Sequence, residues 1–308
     1  MTRGPRGFAG LATERAHPRT RDLDVLPTRE IVRRSLRESS AAFRAANGAV
    51  REIAALADLA ADALRRGGRL VYVGAGTSGR LALLDAVELT PTFGLPREKA
   101  PVVLAGGDDA VFRSREGAED LAEDGAAGMR TLQVGGRDLV VGVSASGRTP
   151  FVLGALAEAQ RRGATTGLVG CNAPPRDAAA DVIVLLRTGP EVLAGSTRMN
   201  AGTATKLALN ALSLAAMVRI GKVHGNRMVD VRAGSAKLRD RALRLVEEIG
   251  CVDRRSAAAA LRASTGHAKT AILMVRRHLT AREARSLLHA RGDSLRAALG
   301  VPSGARSR

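Results

Sequence analysis

Two segments of this chain bring hydroxyls, glycines and a helix start together in a way that suits an anion. Val71-Tyr72-Val73 runs into Gly74-Ala75-Gly76-Thr77-Ser78-Gly79-Arg80, and Val140-Val141-Gly142-Val143 runs into Ser144-Ala145-Ser146-Gly147-Arg148-Thr149-Pro150. Glycine lets a backbone approach a ligand closely. Hydroxyls beside the free N–H groups of a helix start form an anion cradle. One such loop is a weak signal, but two, on separate strands of one parallel sheet, suggest a phosphate held from two sides. Thr77 and Ser78 suit direct phosphate contact.

Carboxylates are the second source of chemistry. Glu88 stands among apolar neighbours in Asp85-Ala86-Val87-Glu88-Leu89-Thr90-Pro91, an unusual place for an acid unless it caps a helix or pairs with arginine. Glu119 lies in Arg115-Glu116-Gly117-Ala118-Glu119-Asp120, an acidic, helical run that also fits a solvated face. Two carboxylates beside one ligand act as base and acid when their surroundings separate their pKa values. Spacing along the chain does not prove that these two meet.

Other chemistries fit less well. The G-x-G-x-x-G spacing can be laid on Gly74, Gly76 and Gly79. The next strand, however, closes in Ala105-Gly106-Gly107 with no acidic ribose ligand, and no Lys-Ser/Thr pair follows the glycines as a P-loop requires. His17, His224, His267, His278 and His289 lack metal-ligand spacing. His224, just after the long helix, reads as a surface or capping residue, with a functional role left open. Neither a metal nor a redox cofactor is expected.

The elements that must position these residues can be read from periodicity. Five β-type runs, at 70–73, 102–105, 139–143, 166–169 and 182–186, alternate with helical stretches near 78–88, 113–128 and 150–162 and a brief turn or helix at 174–180. That alternation predicts an α/β fold, a doubly wound parallel sheet with ligands at the C-terminal strand ends. Residues 1–27 are polar, arginine-rich and interrupted by Pro5, Pro18 and Pro27, and read as an irregular arm. Apolar spacing from Thr28 predicts one or two helices up to Gly67-Gly68, and a long helix is expected from about Arg198 to Ile220. After Gly221 strand signals stop. Residues 235–300 read as a separate small module of short helices, with 28–232 as the main domain.

Of the 48 basic residues only five are lysine, and the net charge is +18. The arginines are spread along the chain, often beside acids, with no aromatic-interleaved platform, so nucleic acid is not the expected partner. An anionic small substrate fits the excess. Cys171 and Cys251 lie far apart and form no framework. With no apolar signal region at the start and no apolar run approaching a membrane span, a cytoplasmic setting without membrane contact is expected.

At these residues the chain resembles the N-acetylmuramic acid 6-phosphate etherases, which carry the SIS (sugar isomerase) fold. The resemblance runs through Leu11-Ala12-Thr13-Glu14-Arg15, Gly74 to Leu81, Glu116 to Asp120, Ala145 to Pro150, Gly195-Ser196-Thr197-Arg198-Met199, Ala201-Gly202-Thr203-Ala204 and Gly225 to Asp230. It implies a five-stranded SIS sheet flanked by helices and a UBA-like C-terminal module. It also implies cleavage of the D-lactyl ether of N-acetylmuramate 6-phosphate to N-acetylglucosamine 6-phosphate and D-lactate, without a cofactor. On this resemblance Glu88 is the acid that protonates the leaving oxygen and Glu119 the base. Thr77, Ser78, Ser144, Ser146 and Thr149 grip the phosphate, and Gly76 and Ser196 bind substrate.

The chain departs from the family pattern at Val87-Glu88-Leu89-Thr90, where Ser-Glu-Cys-Pro is usual. It departs again at Asn200, where lysine is usual, at His17, where asparagine is usual, and at Glu38-Ser39, where an acidic pair is usual. A homodimer is expected, since the 198–220 helix offers an alanine- and leucine-rich face and SIS proteins build their sites near subunit interfaces. Competing readings are a non-catalytic phosphosugar sensor like the glucokinase regulatory proteins, a sugar-phosphate isomerase on the same fold, and a nucleic-acid-binding regulator.

Overall fold

The computed structural model describes residues 8–230 and 236–300. The start of the expected arm, residues 231–232 of the expected main domain and residue 235 of the expected helical module lie outside the described residues. The chain forms two compact units. The first comprises Met1–Ala86 and Glu98–Ser213, and the second Val87–Arg97 and Leu214–Arg308.

Three helices precede the sheet of the first unit: α1 (Thr28–Glu38), α2 (Ser40–Gly48) and α3 (Val50–Arg65). The apolar periodicity suggests one or two helices, but the chain breaks at Ser39 and again at Ala49. The first break adjoins Glu38, whose carboxylate is buried and held by Arg19 and Arg37. A buried carboxylate requires such partners, so the end of α1 is tied back to the arm. The Arg19 hydrogen bond is the main reason this carboxyl is held below its usual range.

The sheet contains β1 (Leu70–Gly74), β2 (Val102–Leu104), β3 (Leu139–Val143), β4 (Thr165–Gly170) and β5 (Val182–Leu185). All five predicted strands are present, in the order β2-β1-β3-β4-β5, and every pairing is parallel. Between them run α4 (Gly76–Phe93), α5 (Ala122–Thr131) and α6 (Pro150–Arg161), and α7 (Asn200–Arg219) follows the last strand. Side chains alternate across each strand. Val71, Val73, Val140 and Leu168 face α5 and α6, where Met129, Val152 and Leu156 close a core. The opposite face receives α3 and carries Tyr72, which is fully buried. Its hydroxyl donates to Asp85 Oδ2 at 2.9 Å, and Ser213 donates to Asp85 Oδ1 at 3.1 Å. That one carboxylate therefore ties α4 and α7 to β1.

The order of strands explains where a ligand can sit. From β1 the chain steps outward to β2 and then returns past β1 to β3, so the direction of winding reverses between β1 and β3. Open parallel sheets bind ligands at that reversal, beyond the carboxyl ends of the strands. Register pairs Leu70 with Leu139 and Gly74 with Val143. The two strands end level, and their loops leave side by side.

Two expectations need correction. The helix predicted over 113–128 is instead α5 at Ala122–Thr131, preceded by short 3-10 turns at Asp108–Val111 and Ala118–Asp120. Gly117 takes a left-handed φ of 77°, which a continuing helix cannot contain. Arg80 donates to the carbonyls of Ala110 and Val111, and Arg115 pairs with Asp109 at 2.8 Å. The segment from β2 to α5 is therefore a fastened loop. The second correction concerns α7. No uninterrupted apolar run reaches a membrane span, yet by length and mean hydropathy (1.2) this helix is sufficient for one; 56% of that window is buried inside the protein. Thr203, Thr205, Lys206, Asn210 and Ser213 interrupt its apolar pattern, which hides its length from a search for continuous runs.

The second unit takes in the last turns of α4 and α7 and a small hairpin, β6 (Val223–His224) with β7 (Arg227–Met228). Strand signals were expected to stop after Gly221, and two-residue strands are too short to show alternation. Five helices complete it: α8 (Ala236–Gly250), α9 (Arg254–Ala263), α10 (Ala268–Arg277), α11 (Ala281–Ala290) and α12 (Leu295–Ala298). Their core is built from Val246, Ala257, Ile272, Leu273 and Leu295. Thr280 and Glu283 form a capping box at the start of α11.

Candidate active site

The first loop is shaped by a contact that only glycine permits. A Cβ on Gly79 would lie 2.2 Å from Leu104 Cδ1 and 2.9 Å from the carbonyl carbon of Gly74. The first turn of α4 therefore sits directly against the end of β1. This places Thr77 and Ser78 beside the free N–H groups of the helix, whose N-terminus favours an anion.

The second loop is organised by a buried hydroxyl. Ser144 is 2% exposed. Its Oγ lies 2.8 Å from Thr149 Oγ1 and 3.2 Å from Ser146 Oγ. Ser146 Oγ also accepts from the Arg148 N–H at 3.1 Å, and the Gly147 N–H donates to the Ser144 carbonyl at 2.9 Å. Thr149 then precedes α6, which starts on Pro150, a residue whose fixed φ and missing N–H suit a first helical position. Three hydroxyls are thus held as one cluster at a second helix start.

The loops open onto a cavity of about 250 Å³ lined by Thr77, Ser78, Ser146 and Thr149, with Glu119 and Asp120 from the loop after β2. The 3-10 turn at Ala118–Asp120 carries Glu119 there. In the helix expected from sequence it would have been one position on an acidic face. Glu119 is exposed, so its carboxylate is accessible to a ligand. No lysine or arginine lines the cavity among the described residues. Phosphate charge would be met by hydroxyls, backbone N–H groups and two helix starts, so the chain's basic excess does not reside in this lining.

Not every expected residue lines this space. Ser144 stands behind the lining and holds Ser146 and Thr149 in place. Gly76 and Ser196 flank lining residues, Gly76 beside Ala75 and Thr77, and Ser196 beside Thr197. Glu88 is exposed on α4 and is not part of the lining. Ten residues separate it from Ser78, about 15 Å of helix. Among the described residues, no three His, Cys, Asp or Glu side chains converge as a metal site.

The sequence reading missed one wall. Phe8, Thr13 and Glu14 of the arm line the cavity, as does Thr197. The buried Asn172, just beyond β4, fastens that wall. Its Oδ1 accepts from the Ala12 N–H at 2.9 Å, and its Nδ2 donates to Thr13 Oγ1 and to the Ala145 carbonyl, both at 3.0 Å. The family block at Leu11–Arg15 was the only signal of this wall, since nothing in the arm's periodicity marks it.

Cys171 lies beside the second loop, its N–H donating to the Ala145 carbonyl at 3.0 Å. Burial pushes its thiol up to about 12, which disfavours the thiolate. Glu191, fully buried, accepts from the backbone N–H groups of Asn200 and Ala201, both at 2.8 Å, and so caps α7. Burial raises its carboxyl above the usual range against those two bonds.

Several known proteins resemble this chain. The family model of the glucokinase regulatory protein N-terminal SIS domain matches residues 52–160, which include both hydroxyl loops and Glu119. Among solved structures, a phosphoheptose isomerase from Francisella tularensis aligns with a TM-score of 0.47 and 17% identity over 62% of this chain and 98% of its own. The N-acetylmuramic acid 6-phosphate etherase of Rubrobacter xylanophilus is 50% identical over 293 residues, covering 94% of this chain and 96% of its own. That of Deinococcus radiodurans is 49% identical over 94% of this chain and 95% of its own. With identity at that level along nearly its whole length, this chain belongs to the N-acetylmuramic acid 6-phosphate etherase family.

Proposed function

We propose that the pocket between the β1 and β3 loops binds the phosphate of N-acetylmuramate 6-phosphate and that the chain, a carbon–oxygen lyase, cleaves its D-lactyl ether. The observation that carries this reading is the convergence of Thr77, Ser78, Ser146 and Thr149 with Glu119 in one cavity at the sheet's reversal. In the ring-opened sugar the C2 proton is α to the aldehyde and therefore acidic. Glu119 removes it. The electron pair forms the C2–C3 double bond, and the C3–O bond breaks. Glu88 supplies a proton to the departing lactyl oxygen. Water then adds its oxygen to C3, and C2 regains a proton, giving N-acetylglucosamine 6-phosphate and D-lactate. Acid–base assistance of this kind is worth about 10²–10⁴ in rate. The elimination and hydration are redox-neutral and use proton transfers that carboxylates can supply.

Glu88 is exposed on α4 and is not part of the lining of its own chain's cavity. That placement supports a homodimer in which Glu88 of the partner subunit completes the site. We assign residues 28–232 to the sugar-phosphate domain and 235–300 to a helical module, and place the reaction in the cytoplasm.

Incubation with N-acetylmuramate 6-phosphate in isotopically labelled water tests the reading. The expected result is D-lactate release with label at C2 and C3-bound oxygen. Binding of the sugar without lactate release would overturn it.

A further inference from the structure

Glu14 occupies an electrostatically odd position. Its carboxylate lines a cavity whose other wall is an anion cradle, and among the described residues no cation pairs with it. The chain nevertheless holds it there. Asn172 clasps both Ala12 and Thr13, and the Gly195 N–H donates to the Thr13 carbonyl at 3.0 Å. Gly195 itself has a φ of 77°, and a Cβ on it would sit 2.9 Å from Glu14 Oε2. The carboxylate therefore rests against a bare Cα that a larger residue would crowd. Thr13, beside it, is 1% exposed, so the backbone that carries Glu14 is fixed before any ligand arrives.

An ionised carboxylate only accepts hydrogen bonds. Next to a bound phosphate it disfavours a second anion and rewards a neutral group that presents O–H or N–H. We propose that Glu14 is a specificity-determining residue that accepts hydrogen bonds from a sugar hydroxyl or the acetamido N–H of the ligand whose phosphate the two loops hold. This inference rests on the phosphosugar reading of the pocket. Glu14 acts on recognition of the sugar and takes no proton in the reaction.

The test is calorimetric titration of the full chain with two probes, N-acetylglucosamine 6-phosphate and inorganic phosphate. Glu14→Ala weakens the sugar phosphate by about tenfold or more, as loss of a charge-assisted hydrogen bond does. It leaves inorganic phosphate within about twofold, because the hydroxyl loops are untouched. Glu14→Gln, which keeps one acceptor oxygen, recovers part of the loss. In turnover the variant raises KM for N-acetylmuramate 6-phosphate while kcat changes little. Equal weakening of both probes would reduce Glu14 to support for the arm, and unchanged affinity for both would remove it from recognition. Either result overturns the proposal. Wild-type protein that binds neither probe would fail the phosphosugar reading itself, and this inference with it.

Discussion

Asn172→Ala isolates the contribution of the arm to the site. The side chain makes three hydrogen bonds in a buried setting, one accepted from the Ala12 N–H and two donated to Thr13 Oγ1 and the Ala145 carbonyl. Truncation removes all three and leaves the Ala12 N–H and Thr13 Oγ1 without that partner, while the Ala145 carbonyl still accepts from the Cys171 N–H. At about 0.5–1.5 kcal/mol each, loss of the two bonds to the arm costs about 1–3 kcal/mol. That loss is concentrated on the arm. Other fasteners persist: the Gly195 N–H on the Thr13 carbonyl, the Thr20 hydroxyl on the Val192 carbonyl at 2.8 Å, and the Glu38 cluster. The variant should therefore fold but open locally at residues 11–15. A free-energy loss of this size raises the open population by roughly 5- to 160-fold. Trypsin reads that population at Arg15, which is exposed at the edge of the clasp. When closing outpaces cleavage, the cut rate tracks the open fraction. The expected outcome is accelerated cleavage at Arg15 by about fivefold or more, with a raised KM for substrate. Cleavage within twofold of wild type, with an unchanged urea midpoint, would refute the claim that Asn172 fastens this wall.

Three further predictions follow from the same geometry. Glu88→Gln and Glu119→Gln should each retain phosphosugar binding and lose turnover; mixing the two inactive proteins after exchange of subunits should restore about a quarter of wild-type activity, because half of the dimers then carry one intact shared site. No recovery would place both acids in one chain's site or remove one of them from the reaction. Asp85 has its carboxyl raised by burial, against the hydrogen bonds from Tyr72 and Ser213. The stability it contributes is fully present below the unfolded carboxylate pKa and is lost as pH rises through the raised folded value, with a slope of at most about 1.4 kcal/mol per pH unit. Urea titrations across that interval should show the decline, and Asp85→Asn should flatten it. Thiol titration should find Cys251, which is exposed, reactive in the native protein, and Cys171, buried with its thiol pushed up to about 12, reactive only after denaturation.

Much of the fold was legible because it follows local pattern. The five strands are short, largely apolar runs, and most of the helices beside them carry their own periodicity. The hydroxyl loops were legible for the same reason, since glycines and hydroxyls that follow a strand and precede a helix stand out without reference to distant residues. The failures share a cause too. Residues 113–121 look helical by composition, but Gly117 and the grip of Arg80 on Ala110 and Val111 keep them as a loop. The arm looks unstructured because its order comes from Asn172, 160 positions from Ala12.

From the residues alone came the kinds of groups available: two turns rich in glycine and hydroxyls, candidate carboxylates and an α/β scaffold. Periodicity and residue type encode these because each depends on neighbours within a few positions. Which groups meet was decided by the tertiary structure. The parallel register of β1 with β3 brought the two turns level, the fastened loop after β2 turned Glu119 into the cavity, and a buried asparagine laid Glu14 across it. Those contacts join segments far apart in the chain, and no local pattern can report a pairing that exists only once the sheet has formed.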